Sequence, residues 1–361
     1  MSGLVVFIGT KAQYIKTAPL LRLMDSQGTD YRLVDSGQHA DLSATMRRDL
    51  GVREPDVSLG HGRDVESIPQ AVAWSLGLAG LVWSRRKLQE DIFGGRGGIC
   101  VIHGDTPSTL LSALMARRAG FRVAHLESGL RSRRLTHPFP EEMIRIIVMR
   151  VSSVLFAPDQ TAVANLRRMR VRGRVVPLSA NTSIEAVRYA LQAKAGGEGS
   201  AIVTLHRVEN LKVPKRFRGF VRLVLAIAAD RPVRFVLHGP TREALEKSGL
   251  RPKLEAGNVE LIDLMNHTDF VEILRDASLV VTDGGSIQEE CALLGVPTLL
   301  WRDRSERPDG IGQNVVVSHY DRGTVDDFLR RFCEFRRPAR SLDGDPSEEI
   351  LEVLTGELRM R

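Results

Sequence analysis

The chain has 361 residues, 43% hydrophobic and 26% charged, proportions that exclude a disordered or fibrous protein and fit about two folded domains. Its net charge of +7 is spread along the chain without a zinc-finger, RRM or helix-turn-helix signature, so a small anionic ligand is expected and nucleic acid is not. Cys100, Cys291 and Cys333 lack CxxC or metal-ligand spacing, no apolar run reaches the roughly 18 residues of a membrane span, and no basic leader precedes Leu4, which together read as a cytoplasmic protein.

The first half alternates short apolar strands with amphipathic helical stretches. LVVFIGT opens the series, and YRLVDSG, GICVIHGD, FRVAHLES and SVLFAPD continue it, a rhythm that predicts βαβ units and a parallel sheet. From Ala162 to Asn181 the pattern loosens into the basic run LRRMRVRGRVV, the expected hinge, and the first domain is set at 1–168. A second series, SAIVTLH, RPVRFVLHG, NVELIDL, SLVVTDGG and VPTLLW, predicts another α/β domain over 169–340. The tail over 341–361 holds PSEEILEVLTGEL, an amphipathic helix candidate expected to fold back onto the first domain.

In open α/β sheets ligands sit beyond the carboxyl ends of the strands, so strand-end residues are the candidates for chemistry. Asp105 ends CVIHGD, and Glu127 ends VAHLES one strand-helix-strand repeat later, which places both carboxylates at one sheet edge. Taken singly, Asp105 reads equally well as a cap for the helix beginning near Ser108, and Glu127 as a solvated loop residue. In HPFPEEMIR, Pro140 suits a first helical position, Glu141 and Glu142 are favoured there by the helix dipole, and Glu141 and Arg145 form an i,i+4 pair. The case for function is convergence, because carboxylates gathered in one cleft shift one another's proton affinity and can divide acid and base roles.

Anion-binding signals flank these acids. LVVTDGGSIQEE reads as strand, glycine turn and helix, so the amides of Gly285, Ser286 and Ile287 face an anion such as a diphosphate, with Glu290 one turn further on to take a ribose diol. In GTKAQYIK, Lys11 and Lys16 stand near a helix start, where a cation is unfavourable unless it binds phosphate. His206 closes the strand AIVTLH and reads as either structural or catalytic. In WRDRSERPDGIGQN the arginines, Arg307 among them, form a charged loop that could hold phosphate.

In order and wording, GTKAQYIKTAP, SGQH, HGDTPSTLLSAL, AHLESGLRS, HPFPEEMIR, FAPD, NTSIEAV, TLHRVEN, TDGGSIQEE, LGVPTLL and RDRSERP resemble the UDP-N-acetylglucosamine 2-epimerase family from about Leu4 to Val317. The resemblance implies an α/β fold of two Rossmann-like lobes in a GT-B-type arrangement, with the active site in the interlobe cleft and a homodimer as the usual form. It puts the catalytic groups on Asp105, Glu127, Glu141 and His206, with Arg145 beside them, and the UDP contacts on Lys11, Lys16, Phe270, Gly285, Ser286, Glu290 and Arg307. It implies no metal and no redox cofactor, and interconversion of UDP-GlcNAc and UDP-ManNAc by elimination of UDP to a 2-acetamidoglucal and re-addition. The product then serves a surface glycan or a specialised metabolite. The nearest alternatives are a hydrolysing epimerase, an epimerase for a modified UDP-HexNAc, a GT-B glycosyltransferase and a catalytically dead UDP-sugar sensor.

The spelling departs from the common form at several points. Lys11 stands for the usual arginine and Ala12 for the proline beside it; Ile144 replaces an asparagine, Leu205 a glycine, and Gly-Gly-Ser stands for Ser-Gly-Gly. SGQH, with Gln38 and His39, retains part of the bacterial regulatory-site motif.

Overall fold

The computed structural model describes residues 3–37, 46–59, 84–133, 140–191, 199–340 and 344–359. Gln38 and His39 of the regulatory motif, and His137 to Phe139 of HPFP, lie outside the described residues. The chain divides into two compact units, Met1–Ala186 with Asp343–Arg361, and Val187–Leu342.

The first unit is built on seven parallel strands in the order β3-β2-β1-β4-β5-β6-β7. They are β1 (Leu4–Ile8), β2 (Arg32–Asp35), β3 (Val57–Ser58), β4 (Ile99–His103), β5 (Arg122–Leu126), β6 (Val154–Ala157) and β7 (Arg174–Pro177). LVVFI and ICVIH are buried at every position, as central strands covered on both faces must be, which is why they read as unbroken apolar runs. Helices α1 (Lys11–Ser26), α2 (Pro107–Ala119), α3 (Glu141–Val151) and α4 (Gln160–Met169) make the crossovers. Thr10 with Gln13, and Thr106 with Thr109, form capping boxes that start α1 and α2 directly after the strands β1 and β4. The chain reverses its direction of travel between β1 and β4, so the switch point, where such sheets bind ligands, lies between them.

The second unit has six parallel strands in the order β10-β9-β8-β11-β12-β13. They are β8 (Ala201–Leu205), β9 (Val233–Leu237), β10 (Val259–Asp263), β11 (Val280–Thr282), β12 (Thr298–Leu300) and β13 (Val315–Val317). Its switch point falls between β8 and β11, beside α5 (His267–Arg275) and α6 (Gly285–Leu294).

The expected hinge is a correction. Residues 160–177 form α4 and β7, and β7 pairs with β6, so the units divide after Ala186 rather than after residue 168. β7 is a half-exposed edge strand carrying Arg174, so it shows no buried-strand signature in the sequence. Helix α7 (Pro346–Arg359) packs against α1, buries Ile350, Leu351 and Leu354, and places Glu357 between Arg122 at 2.6 Å and Arg174 at 2.9 Å. Among the described residues no helix is long and apolar enough to cross a membrane.

Candidate active site

The carboxyl edge of the first sheet gathers the ends of β1, β4 and β5. The loops leaving β1 and β4 pack so closely that a Cβ on Gly9 would stand 2.2 Å from Ser108 Oγ. Gln13, 3% exposed, staples the two loops: its Nε2 donates to the His103 carbonyl at 2.6 Å and to Thr109 Oγ1 at 2.9 Å, while its Oε1 accepts from Gly9 N at 2.6 Å and Thr10 N at 3.0 Å. Gly104, at φ +74°, then turns the chain sharply so that Asp105 leaves β4 at this edge.

Glu127 follows β5 with φ +60°, a left-handed conformation that disfavours a side chain by about 1–2 kcal/mol. The strain is offset by contacts: Lys16 Nζ donates to Glu127 Oε1 at 2.6 Å and Asn181 Nδ2 to the same oxygen at 2.8 Å. Lys16, read from the sequence as a phosphate ligand, is buried and paired here with Glu127. On the other side, His103 Nδ1 lies 4.0 Å from Glu127 Oε2.

Asp105 is bound by Arg145, which donates through Nε at 2.6 Å and also through Nη2. Arg145 is held in turn by Glu142, whose Oε2 accepts from Arg145 Nη1 at 3.4 Å. Glu142 is fully buried and collects Arg131 Nε at 2.5 Å, Ser132 N at 3.0 Å and Arg133 N at 3.2 Å. These donors outweigh burial and hold its carboxyl below the usual range. Of the two adjacent acids, Glu142 therefore organises the arginines, and Glu141 opens α3 in a half-buried position four residues before Arg145. Ile144, where asparagine is usual, packs into the apolar cluster with Phe93, Leu111 and Val148.

His125, on β5, fixes the Asp105 loop from below. Its Nε2 faces the Gly104 carbonyl at 2.7 Å and its Nδ1 the Ser128 hydroxyl at 2.6 Å, so Nε2 carries the proton and Ser128 donates to Nδ1. Burial pushes both His103 and His125 down to about 4, against the pull of the Asp105 and Glu127 charges.

In the second unit, Asp283 after β11 organises the strand ends. Its carboxylate accepts from His206 N at 3.0 Å, Arg207 N at 2.9 Å and Asn210 Nδ2 at 2.9 Å, and lies 3.2 Å from His206 Nδ1. Burial lowers His206, against the pull of Asp283. A Cβ on Gly284 would meet His206 Cε1 at 3.0 Å and one on Gly285 would meet Arg307 Nε at 3.1 Å, so the glycine turn admits both side chains to the start of α6. α6 starts at Gly285 with Gly284 as its N-cap and no side-chain cap hydrogen bond. Arg307 pairs with Glu289 at 3.0 Å, and Gln288 Nε2 ties the 302–309 loop to α6 through the carbonyls of Arg307 and Asp309 at 3.1 and 2.9 Å. Glu290 takes His267 Nε2 at 3.1 Å through Oε1, while its buried Oε2 has no hydrogen-bond partner among the described residues. Phe270 is half-buried one turn after His267 on α5. Leu205, where glycine is common, is fully buried in the core of this unit.

The structure thus gathers Asp105, Glu127, Lys16 and Arg145 in the first unit, with Lys11 in the first turn of α1, and His206, Gly285, Ser286, Glu290 and Arg307 in the second. Sequence reasoning passed over Gln13, His103, Asn181, Glu142 and Asp283 as site residues. Only Gln13 carries a local signal, because Thr-x-x-Gln after an apolar strand is a capping box.

A family model described as UDP-N-acetylglucosamine 2-epimerase matches residues 22–355. The UDP-N-acetylglucosamine 2-epimerase of Methanocaldococcus jannaschii is 26% identical to this chain, with 98% of each chain covered. The UDP-2,3-diacetamido-2,3-dideoxy-D-glucuronate 2-epimerase of Pseudomonas aeruginosa is 30% identical, covering 87% of this chain and 88% of the relative. Among solved structures, UDP-GlcNAc 2-epimerase from Neisseria meningitidis bound to UDP-GlcNAc superposes with a TM-score of 0.84 at 22% identity over 98% of this chain and 99% of that one, a likeness of fold.

Proposed function

The chain belongs to the UDP-N-acetylglucosamine 2-epimerase family, and from that premise we propose that it interconverts UDP-GlcNAc and UDP-ManNAc without net hydrolysis. The observation that carries the reading is the pair of differently held carboxylates at one sheet edge, Asp105 on Arg145 and Glu127 on Lys16 and Asn181. Inverting C2 requires a proton to leave one face and return to the other, which one carboxylate cannot do from one position.

The C2 proton of a sugar is not acidic while C1 remains bonded to UDP. As the C1–O bond breaks, its electron pair leaves with UDP, positive charge develops at C1, and the C2 proton becomes transferable to a carboxylate. The C2–H electron pair forms the C1–C2 double bond of a 2-acetamidoglucal. Protonation of C2 on the opposite face and return of UDP to C1 complete the epimer. In this reading the leaving diphosphate is stabilised by Lys11, the first amides of α6 and Arg307, a preorganised positive field of the kind that often dominates catalysis, and Lys16 divides its charge between Glu127 and the diphosphate. Glu290 takes the ribose, Phe270 the base side of UDP, and His206 supports charge on the departing phosphate. Glu141 belongs to the same acid set, near the sugar. The proposal includes a cytoplasmic homodimer, the form the resemblance implies, with no metal or redox cofactor.

A second reading is favoured by the Pseudomonas relative, whose name specifies a diacetamido uronate: the 2-acetamido sugar carries further substituents, and the chemistry at C1 and C2 is unchanged. The test is to make Asp105→Asn and Glu127→Gln and follow both C2 hydrogen exchange and UDP binding. Each variant is expected to lose exchange and keep UDP affinity; full exchange in either removes that residue from the mechanism.

A further inference from the structure

Two histidines are buried beside the carboxylates, and they differ in one respect. His125 has both ring nitrogens engaged, by the Gly104 carbonyl and the Ser128 hydroxyl. His103, 3% exposed at the end of β4, has neither ring nitrogen hydrogen-bonded to any described residue. Buried polar groups are nearly always bonded, so an imidazole idle at both nitrogens points to a partner that exists in another state of the molecule. The ring is buried at the end of β4, and its Nδ1 faces Glu127 Oε2 at 4.0 Å, beyond hydrogen-bond length.

We infer that His103 is a positioning residue that accepts a hydrogen bond from the Glu127 carboxyl while that group carries the proton taken from C2, an inference that rests on the proposed role of Glu127 in proton transfer. In the present state Glu127 receives donors, Lys16 Nζ and Asn181 Nδ2, and a carboxylate with donors needs no acceptor. Once the C2 proton arrives, the carboxyl carries an O–H donor of its own. A neutral imidazole lone pair is the complementary acceptor, and a shift of about 1 Å brings Nδ1 within bonding distance of Oε2. Burial keeps His103 neutral, pushed down to about 4 with Lys16 and His125 reinforcing the effect and Glu127 and Asp105 opposing it. When the proton moves on, the lone pair and the carboxylate separate again. The hydrogen bond therefore favours the protonated intermediate over the resting enzyme, which is where a contribution lowers a barrier.

The experiment uses the full chain with UDP-GlcNAc and UDP-GlcNAc deuterated at C2. Three variants separate acceptor from scaffold: His103→Asn puts an amide oxygen where Nδ1 stands, His103→Gln puts its amide at the Nε2 position, and His103→Leu removes both nitrogens. Loss of one such hydrogen bond in the intermediate corresponds to about a tenfold fall in kcat. His103→Leu and His103→Gln are expected to show that fall, with KM and UDP affinity unchanged and a larger primary isotope effect at C2. His103→Asn is expected to keep most of kcat and the wild-type isotope effect. If His103→Leu fails to fold, the Asn and Gln pair decides alone. Equal kcat and isotope effect in Asn and Gln, or a change confined to KM, overturns the inference. Glu127→Gln measured in parallel keeps the two claims apart, since full exchange there removes Glu127 itself, whatever His103 does.

Discussion

Replacing Glu142 with glutamine isolates the arginine network that holds Asp105 in place. In the native chain the Glu142 carboxylate is fully buried and accepts from Arg131 at 2.5 Å, Ser132 N at 3.0 Å, Arg133 N at 3.2 Å and Arg145 at 3.4 Å. An amide of the same shape keeps one acceptor oxygen and turns an NH2 toward groups that are already donors, leaving two guanidinium groups around a neutral side chain. Removing one partner of a buried ion pair costs about 3–5 kcal/mol, and in a unit of about 200 residues each kcal/mol moves Tm by about 2–4 °C, so Tm falls by about 6–20 °C. The pH dependence has a fixed sign. Glu142 has its folded value below the ordinary 4.5, so its stabilisation is present above that pH and fades as pH falls through the folded value. Thermal unfolding followed by circular dichroism at pH 7, and again in steps below pH 4.5, should show a wide gap between the two proteins that narrows on acidification. A Tm within about 2 °C of wild type at pH 7, or a gap that widens in acid, would refute the network as drawn.

Three further outcomes follow from the same geometry. Lys16→Met should lower kcat by about 100-fold while UDP affinity changes by less than about tenfold, because Lys16 is seated on Glu127 at 2.6 Å; steady-state kinetics with UDP titration calorimetry checks the split. Gln13→Ala should destabilise the first unit by about 2–4 kcal/mol in urea unfolding, since it unties the loops after β1 and β4 and takes their side-chain acceptor from the Gly9 and Thr10 amides, while the His103 carbonyl keeps the Thr109 hydroxyl at 2.8 Å. Gly129→Ala should cost about 2–4 kcal/mol by the same assay, because a Cβ there would stand 2.5 Å from the Ala162 carbonyl oxygen on a backbone at φ +97°.

Much of the architecture is readable from the apolar runs, because a strand buried on both faces admits little but aliphatic residues and β1 and β4 are of that kind. β7 is an edge strand with its first and last residues exposed, so RVVP amid arginines reads as a connector and the unit boundary shifts by 18 residues, from after 168 to after Ala186. At the site, Asp105 and Glu127 are legible because β4 and β5 are adjacent parallel strands, a relation that the βαβ rhythm predicts. Their partners are not. Asn181 reaches Glu127 from 54 residues away, and nothing in NTSIEAV announces that contact. Glu141 and Glu142 are indistinguishable by helix-dipole arguments, and only the path of the 131–133 backbone decides which one is enclosed. Lys16 shows how a correct physical question can admit two answers: a lysine on the first turns of a helix needs a counter-charge, and here a carboxylate from another strand supplies it.

The central claim is that the chain breaks and remakes the C1–O and C2–H bonds of a UDP-HexNAc without releasing its product sugar. Its most direct test is proton NMR of UDP-GlcNAc with the purified chain in heavy water and no acceptor. The account predicts that the C2 proton signal disappears as deuterium enters, that UDP-ManNAc appears, and that free UDP does not accumulate. Free UDP together with N-acetylmannosamine would contradict the non-hydrolysing course, and no exchange at C2 would contradict the epimerisation of this sugar altogether.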